Sequence, residues 1–281
     1  MPGTLYIVAT PIGNLEDITQ RALRILSEVK IIACEDTRHT RKLLDHYGIK
    51  TKTISYHEHN ERDRATELLQ LLEAGSDVAI VSDAGTPGIS DPGFRIVSEA
   101  GARQITIVPV PGPTALIAAL VASGMTTDQF FFDGFLPARG GARRSRLSEL
   151  RSIPATLIFY EAPHRIDAAL RDAHEILGNR KAAVARELTK IHEEIVRGTL
   201  GELVSHFTSA EKSRGEFVVL IDGTAVEVKA DDLQPSSVSA IVARLEEQGM
   251  DHRAALKKAA RELGLTRDEA YRRLMAERNN E

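Results

Sequence analysis

Apolar and polar positions along this chain follow two rhythms that take turns. A nearly continuous apolar run at residues 4–9 precedes helical spacing over 19–29, where Ala22, Leu23, Ile25 and Leu26 share one face. The succession continues with a strand at 31–34, a helix at 41–47 ended by Gly48, and a helix at 61–74 closed by Gly75. A strand at 78–81, a helical pattern beginning near Phe94, a strand at 105–108 and an apolar helix at 115–122 complete the first set. Short apolar strands alternating with helices predict a mostly parallel sheet covered on both faces. A second set has strands at 129–132, 156–160, 182–185 and 217–221, with a helix at 165–177. Residues 231–237 are polar and turn-rich, a linker by composition, and only helical patterns follow, at 238–248, 253–263 and 267–277. The expected architecture is α/β: an N-terminal α/β domain over 1–115, a second α/β domain over 116–230, and a helical, helix-turn-helix-like C-terminal domain over 236–281. The last rests on two short helices around Gly264.

Composition narrows the class without naming a partner. A chain of 281 residues with 42% apolar and 27% charged residues can bury more than one core and matches ordinary globular proteins. The single cysteine, Cys34, excludes an internal disulfide framework and a Cys-rich zinc site. Lying in the apolar run 30–34, it reads as an inert buried thiol. The N-terminus enters a strand directly, with no basic segment leading into an apolar one, and no apolar run approaches membrane-spanning length. The expectation is a cytoplasmic protein with no membrane partner.

Candidate chemistry gathers where strands end. The run Ser82-Asp83-Ala84-Gly85-Thr86-Pro87-Gly88-Ile89-Ser90-Asp91-Pro92-Gly93 follows a buried strand and precedes a helix. Its glycines and prolines make a rigid loop that exposes main-chain groups, at the sheet edge where open α/β folds bind ligands. Thr10-Pro11-Ile12-Gly13-Asn14-Leu15 and Pro111-Gly112-Pro113-Thr114 are loops of the same kind, and Thr114 is placed to cap the next helix. Three such loops at neighbouring strand ends are more than tight structural turns require. None matches the dinucleotide fingerprint: Pro87 falls where helix-initiating amides should face a phosphate, which disfavours a nicotinamide-binding enzyme.

Two charged segments and two basic ones follow. Tyr160-Glu161-Ala162-Pro163-His164-Arg165 brings a carboxylate, an imidazole and a guanidinium to one strand end, able to act as base, donor and anion clamp. A capping or surface role is the plainer reading of His164. The cluster at 186–194, with Arg186, Glu187 and Lys190, reads equally as a solvated charge run. No spacing matches a metal site. Residues 137–151 carry Arg139, Arg143, Arg144, Arg146 and Arg151 against Glu149 alone, with Gly140 and Gly141 lending mobility. Such a loop suits phosphate contacts or simply aids solubility, and residues 253–278 are also net positive.

Taken together, residues 10–15, Glu35-Asp36-Thr37-Arg38, residues 82–93, Val110-Pro111-Gly112-Pro113-Thr114 and residues 160–165 closely resemble one family. It is the ribosomal small-subunit RNA cytidine 2′-O-methyltransferase family, a branch of the tetrapyrrole-methylase superfamily, and the resemblance covers nearly the whole chain. It implies two α/β domains with S-adenosyl-L-methionine folded in the cleft between them, and a homodimer. It also implies methylation of a cytidine ribose 2′-hydroxyl in the decoding region of 16S rRNA, within the 30S subunit. Carried over by motif, the cofactor should touch Thr10, Pro11, Asp83, Gly85, Thr86, Gly112, Pro113, Thr114, Ala115, Tyr160 and Ala185. Charge and position nominate Glu161 and His164 as the base, with Glu187 in reserve. They also nominate Arg38, Arg139, Arg143, Arg144, Arg146, Arg165, Arg186 and Lys190 as contacts to RNA. The alternatives are a methyltransferase of a porphyrin or corrin precursor, and a ligand-sensing nucleic-acid-binding regulator that reads with its tail.

Overall fold

The computed structural model describes residues 1–208, 215–223, 238–247, 250–262 and 265–278. Its first sheet is built from β1 (Thr4–Val8), β2 (Ile31–Cys34), β3 (Thr53–Ser55), β4 (Val78–Val81) and β5 (Thr106–Val110), in the order β3-β2-β4-β1-β5. Every pairing is parallel. Helices α1 (Gln20–Glu28), α2 (Thr37–His46), α3 (Glu61–Glu73) and α4 (Phe94–Ala102) cover both faces. Because side chains alternate across a strand, Ile32 and Cys34 join Leu26 and Leu44 on one side. Ile31 and Ala33 join Leu68, Leu72 and Ile96 on the other. Cys34 is fully buried, and burial pushes its thiol above the usual range. Helix α2 starts at Thr37, before the expected residue 41, because the Asp36 side chain accepts from the Arg38 N–H at 2.8 Å and caps it.

The second sheet departs from the parallel pattern. Its strands are β6 (Phe130–Phe135), β7 (Thr156–Glu161), β8 (Lys181–Arg186), β9 (Glu194–Thr199) and β10 (Phe217–Ile221), ordered β6-β7-β10-β8-β9. Only β6 and β7 run parallel; the other pairings are antiparallel. Helix α5 (Ala115–Ser123) begins at the expected domain boundary and packs Leu116, Ala119 and Leu120 on one face of this sheet. Helices α6 (Gly140–Leu150), α7 (Ile166–Leu177) and α8 (Leu200–Phe207) form a larger core on the opposite face. Strand β9 and helix α8 go beyond the elements expected from the sequence, as does the three-residue β3.

Both sheets belong to one compact unit, Met1–Ala225, and a second unit spans Val226–Glu281. In the second, α9 (Val238–Glu247), α10 (His252–Glu262) and α11 (Arg267–Arg278) pack against one another around Ile241, Leu245, Leu256, Ala259, Ala270 and Leu274. Thr266 and Glu269 exchange hydrogen bonds at the start of α11, in the manner of a capping box. The linker expected at 231–237 and the Gly264 turn lie outside the described residues. No described helix is long and apolar enough to cross a membrane.

The basic segment 137–151 is a helix rather than a mobile loop: Gly140 and Gly141 form the first turn of α6. Arg143 is buried on its inner face, where its guanidinium meets Asp172 of α7 at 2.6 Å. Arg144 reaches the other oxygen of Asp172 at 3.0 Å. Arg143 is therefore a structural residue and not a surface contact for RNA. Removing one partner of a buried ion pair strands the other charge and costs about 3–5 kcal/mol. Asp172→Ala should lower the unfolding free energy from urea titration by that amount, and Asp172→Leu combined with Arg143→Met should recover most of it. Equal stability of Asp172→Ala and the parent protein in those titrations would contradict the role given to this pair.

Candidate active site

The three glycine- and proline-rich loops converge because hydrogen bonds lace them together, main chain to main chain between the first two and through a threonine hydroxyl to the third. Beyond the ends of β1 and β4, Thr10 and Gly85 exchange backbone hydrogen bonds of 2.8 and 3.0 Å. Gly85 adopts φ +82°, a conformation open to glycine but strained for side chains. The Thr10 hydroxyl donates to the Ser82 carbonyl at 3.1 Å. The third loop is tied in by Thr86, whose hydroxyl lies 3.1 Å from the Pro113 carbonyl and 2.7 Å from the Thr114 hydroxyl. Thr114 therefore does not cap α5 through its side chain, as the sequence suggested; its hydroxyl is turned to Thr86. A Cβ on Gly112 would sit 2.9 Å from the Ala9 Cβ, so this loop approaches β1 as only glycine permits.

Against these loops the second sheet presents the ends of its strands, and the two enclose a cavity of about 360 Å³. That lies within the range of small-molecule sites, ~300–1,000 Å³. Ile12, Asp83, Gly85, Thr86, Thr114 and Ala115 line one side; Tyr160, Glu161, Ala185, Leu188 and Val218 line the other. A small recess of about 40 Å³ beside it is lined by Thr10, Pro11, His39 and Asp83. The structure thus brings eight expected site residues to the main cavity: Asp83, Gly85, Thr86, Thr114, Ala115, Tyr160, Ala185 and Glu161. Thr10 and Pro11 lie at the recess, while Gly112 and Pro113 buttress the loops from behind. Among the described residues no cluster of His, Cys, Asp or Glu is arranged to hold a metal ion.

The charged candidates are more committed than the sequence implied. Glu161 is buried, which pushes its carboxyl up, but Oε1 accepts from the Ala162 N–H at 2.9 Å, Oε2 accepts from Arg165 Nη2 at 3.4 Å, and the two side chains form an ion pair. Arg165 also donates to the Leu136 carbonyl, so its guanidinium faces the protein and not an external phosphate. Glu187, at φ +50°, feels burial that raises its carboxyl, yet Lys190 and the Glu216 N–H bring it below the usual range. The Lys190 ammonium lies 2.8 Å from Glu187 and 3.1 Å from Glu216, and Arg186 lies 3.5 Å from Glu194. His164 is exposed and outside the cavity lining.

The remaining arginines lie outward. Arg38 is highly exposed and reaches Asp36 at 2.8 Å, a contact that holds the Asp36 carboxyl down at about 2. Arg139 is exposed, and Arg146 pairs with Asp133 at 2.9 Å and Glu149 at 2.8 Å.

Of the cavity residues that the sequence reading did not name as site residues, Asp91 and Phe135 stand out. Asp91 sits in the 82–93 loop, but nothing in its spacing sets it apart from Asp83. Its carboxyl is pushed up to about 6 by burial and by the neighbouring charges of Glu35 and Asp83. Phe135 lies beyond the expected end of its strand. A shift in register between Phe132 and Phe135, with Gly134 at φ +65°, turns it to the cavity mouth. There its ring stands edge-on to Tyr160 with centroids 5.7 Å apart.

Residues 4–204 match the family model of Tetrapyrrole (Corrin/Porphyrin) Methylases. Over 272 residues the chain is 48% identical to the ribosomal RNA small subunit methyltransferase I of Mesorhizobium japonicum, covering 96% of this chain and 91% of the relative. A protein of the same name from Pseudomonas aeruginosa is 53% identical over 223 residues, or 79% of each chain. Among solved structures, the uroporphyrin-III C-methyl transferase of Thermus thermophilus complexed with S-adenyl homocysteine matches with a TM-score of 0.56 at 19% identity. That match covers 80% of this chain and 100% of the other, and speaks for the fold. The paired sheets, the laced loops and the length of these alignments agree, and the chain belongs to the tetrapyrrole methylase family, in the branch of the ribosomal RNA small subunit methyltransferase I proteins.

Proposed function

We propose that this protein methylates small-subunit ribosomal RNA, with S-adenosylmethionine as donor and the 2′-hydroxyl of a decoding-region cytidine ribose as acceptor. The observation that carries the reading is the cavity between the three laced loops and the second sheet, in a chain nearly half identical to proteins named for that RNA. The lining suits the donor. Ile12, Leu188 and Val218 offer apolar walls to an adenine, and the main chain at Gly85 and Thr86 is bare enough to meet polar edges. Thr10, Pro11, Asp83, Gly85, Thr86, Gly112, Pro113, Thr114, Ala115, Tyr160 and Ala185 would hold it. When bound, S-adenosylmethionine supplies a methyl group already activated on a sulfonium. The protein's work is then mainly to align donor and acceptor and to exclude water.

The target nucleotide leaves its stack for its ribose to reach the cavity, as in other nucleic-acid modifiers. Arg38, Arg139, Arg144 and Arg146 offer outward cations for the surrounding phosphates, as do the exposed Arg253, Lys257, Lys258, Arg272 and Arg273 of the helical unit. Those cations account for docking on the assembled 30S subunit. The protein acts in the cytoplasm as a homodimer, for which the exposed Ile117 and Val121 of α5 supply apolar surface.

Incubation with labelled S-adenosylmethionine and unmethylated small subunits should place the label on one cytidine ribose. Label on a porphyrin or corrin precursor instead would reassign the substrate. In calorimetry Gly85→Val should weaken donor binding roughly tenfold or more, about 1.4 kcal/mol, because a branched side chain is strained at φ +82°. Unaltered affinity would remove the loop from the binding site. Arg38→Glu with Arg139→Glu should weaken subunit binding and reduce its logarithmic salt slope by about one for each phosphate no longer neutralised. Identical salt titrations for variant and parent would move the RNA interface elsewhere.

A further inference from the structure

One aromatic ring stands at the mouth of the cavity with little packed upon it. Among the described residues, Phe135 is the exposed large apolar side chain that lines the main cavity, and it is 54% exposed. Its ring is inclined 63° to that of Tyr160 instead of lying on it. The other apolar walls are different in kind: Ile12 and Val218 line the same cavity and are buried.

A phenyl ring left half in water gains little of the stabilisation that burial would give it, yet the chain on either side of it is firmly held. Before it, Gly134 takes φ +65° within the irregularity of β6, and a Cβ there would lie 3.2 Å from the Ser90 hydroxyl, so the bulge is seated against the 82–93 loop. After it, Leu136 is buried and its carbonyl accepts from Arg165. The Ala138 carbonyl accepts from Arg143 Nη1 at 3.4 Å. Bulges beside active sites commonly re-aim a side chain, and here the bulge holds a ring at the entrance on a rigid mount.

We propose that Phe135 is the platform on which the base of the target nucleotide stacks once that nucleotide has left the RNA. The proposal rests on the function given above and names what receives the base. In a ribose the 2′-hydroxyl and the base are carried by adjoining carbons, so a base that accompanies its 2′-hydroxyl into the cavity comes to rest close to the entrance. Unpaired RNA bases are typically stacked on aromatic side chains. The buried walls at Ile12 and Val218 suit the donor's purine, which leaves the exposed ring for the acceptor. Every base has a π-face, so Phe135 fixes the position of the nucleotide and does not itself select cytosine. It is a positioning residue: stacking raises the share of bound RNA whose ribose is presented to the donor.

The test uses the full-length protein and unmethylated small subunits. With subunits and donor saturating, Phe135→Ala and Phe135→Leu should each slow single-turnover methyl transfer roughly tenfold or more, the loss expected for one base–aromatic stack. Phe135→Tyr, which keeps the ring, should retain most of the rate. Phe135→Leu keeps apolar bulk, so its melting temperature and its S-adenosylmethionine affinity by calorimetry should match the parent's. The chain contains no tryptophan, so Phe135→Trp supplies a single fluorescent reporter. With S-adenosylhomocysteine present, its emission, corrected for the parent mixed with the same subunits, should be quenched by unmethylated subunits and left unchanged by S-adenosylhomocysteine alone.

Full activity in Phe135→Leu, or a rate in Phe135→Tyr as low as in Phe135→Ala, would overturn the proposal. Emission unmoved by subunits would do the same. Donor affinity lost in step with the rate, or emission altered by S-adenosylhomocysteine alone, would assign the ring to the donor. A lowered melting temperature or a changed sedimenting mass in Phe135→Leu would assign it to the fold or to contact between copies, and each of these results also overturns the proposal. A parent protein that binds no S-adenosylmethionine or labels no ribose would instead refute the proposed function.

Discussion

Two backbone hydrogen bonds between Thr10 and Gly85 hold the whole site in register. Strands β1 and β4 pair in parallel through Ile7 and Ile80 and then part. The chain after β4 turns back so that the Thr10–Gly85 bridge forms in the antiparallel sense. That reversal needs the left-handed conformation of Gly85. From there Thr86 reaches the third loop, and Gly112 closes that loop onto Ala9. The loops behind the cavity are thus locked to one another by hydrogen bonds, which leaves little backbone to order when a ligand arrives. Such preorganisation lowers the conformational cost of binding. It also explains why the most informative stretches of this sequence are rich in glycine and proline instead of reactive groups.

The first sheet was legible because both of its faces are buried, so its strands read as apolar runs and its helices as amphipathic ones. What stayed hidden were the short or charged elements. Strand β3 has only three half-buried residues, Thr53, Ile54 and Ser55, too few to show a period. Strand β9, at the sheet edge, opens with Glu194 and continues through Arg197, and so merged with the charged run before it. Segment 137–151 misled by charge count. Arg143, Leu147 and Leu150 are all buried and recur at the spacing of one helix face, so the periodicity was present. The arginine among them gave no sign of pointing inward, because its partner Asp172 lies 29 residues away on another helix.

The site residues were legible to different degrees for the same reason. Backbone-lining positions follow from loop composition, which is local. Residues of the three loop motifs, Thr10, Pro11, Ile12, Asp83, Gly85, Thr86, Asp91 and Thr114 among them, reach the cavity or its recess. Charge roles depend on neighbours brought in by folding. Glu161, His164 and Arg165 looked like a constellation in sequence, yet the fold turns Glu161 and Arg165 upon each other and leaves His164 exposed. Asp91 is inconspicuous in sequence and becomes distinctive only when β2, β4 and β7 assemble around it.

The separation of charge across the protein matches the two demands of an RNA substrate. On the proposed reading the acceptor is a neutral ribose hydroxyl, so Glu35, Asp83 and Asp91 can gather near one side of the cavity without repelling the reacting atom. The phosphates around it are not neutral, and a carboxylate cluster facing them would oppose binding. The fold keeps the two apart: acids collect at the ends of β2 and β4, while Arg38 on α2, Arg139 at the start of α6 and Arg144 within it lie outward. Concentrating acids in a partly buried site costs stability, as functional sites often do. The apolar cores on both faces of each sheet offset that cost, so the strained charges sit at strand ends where packing is already complete.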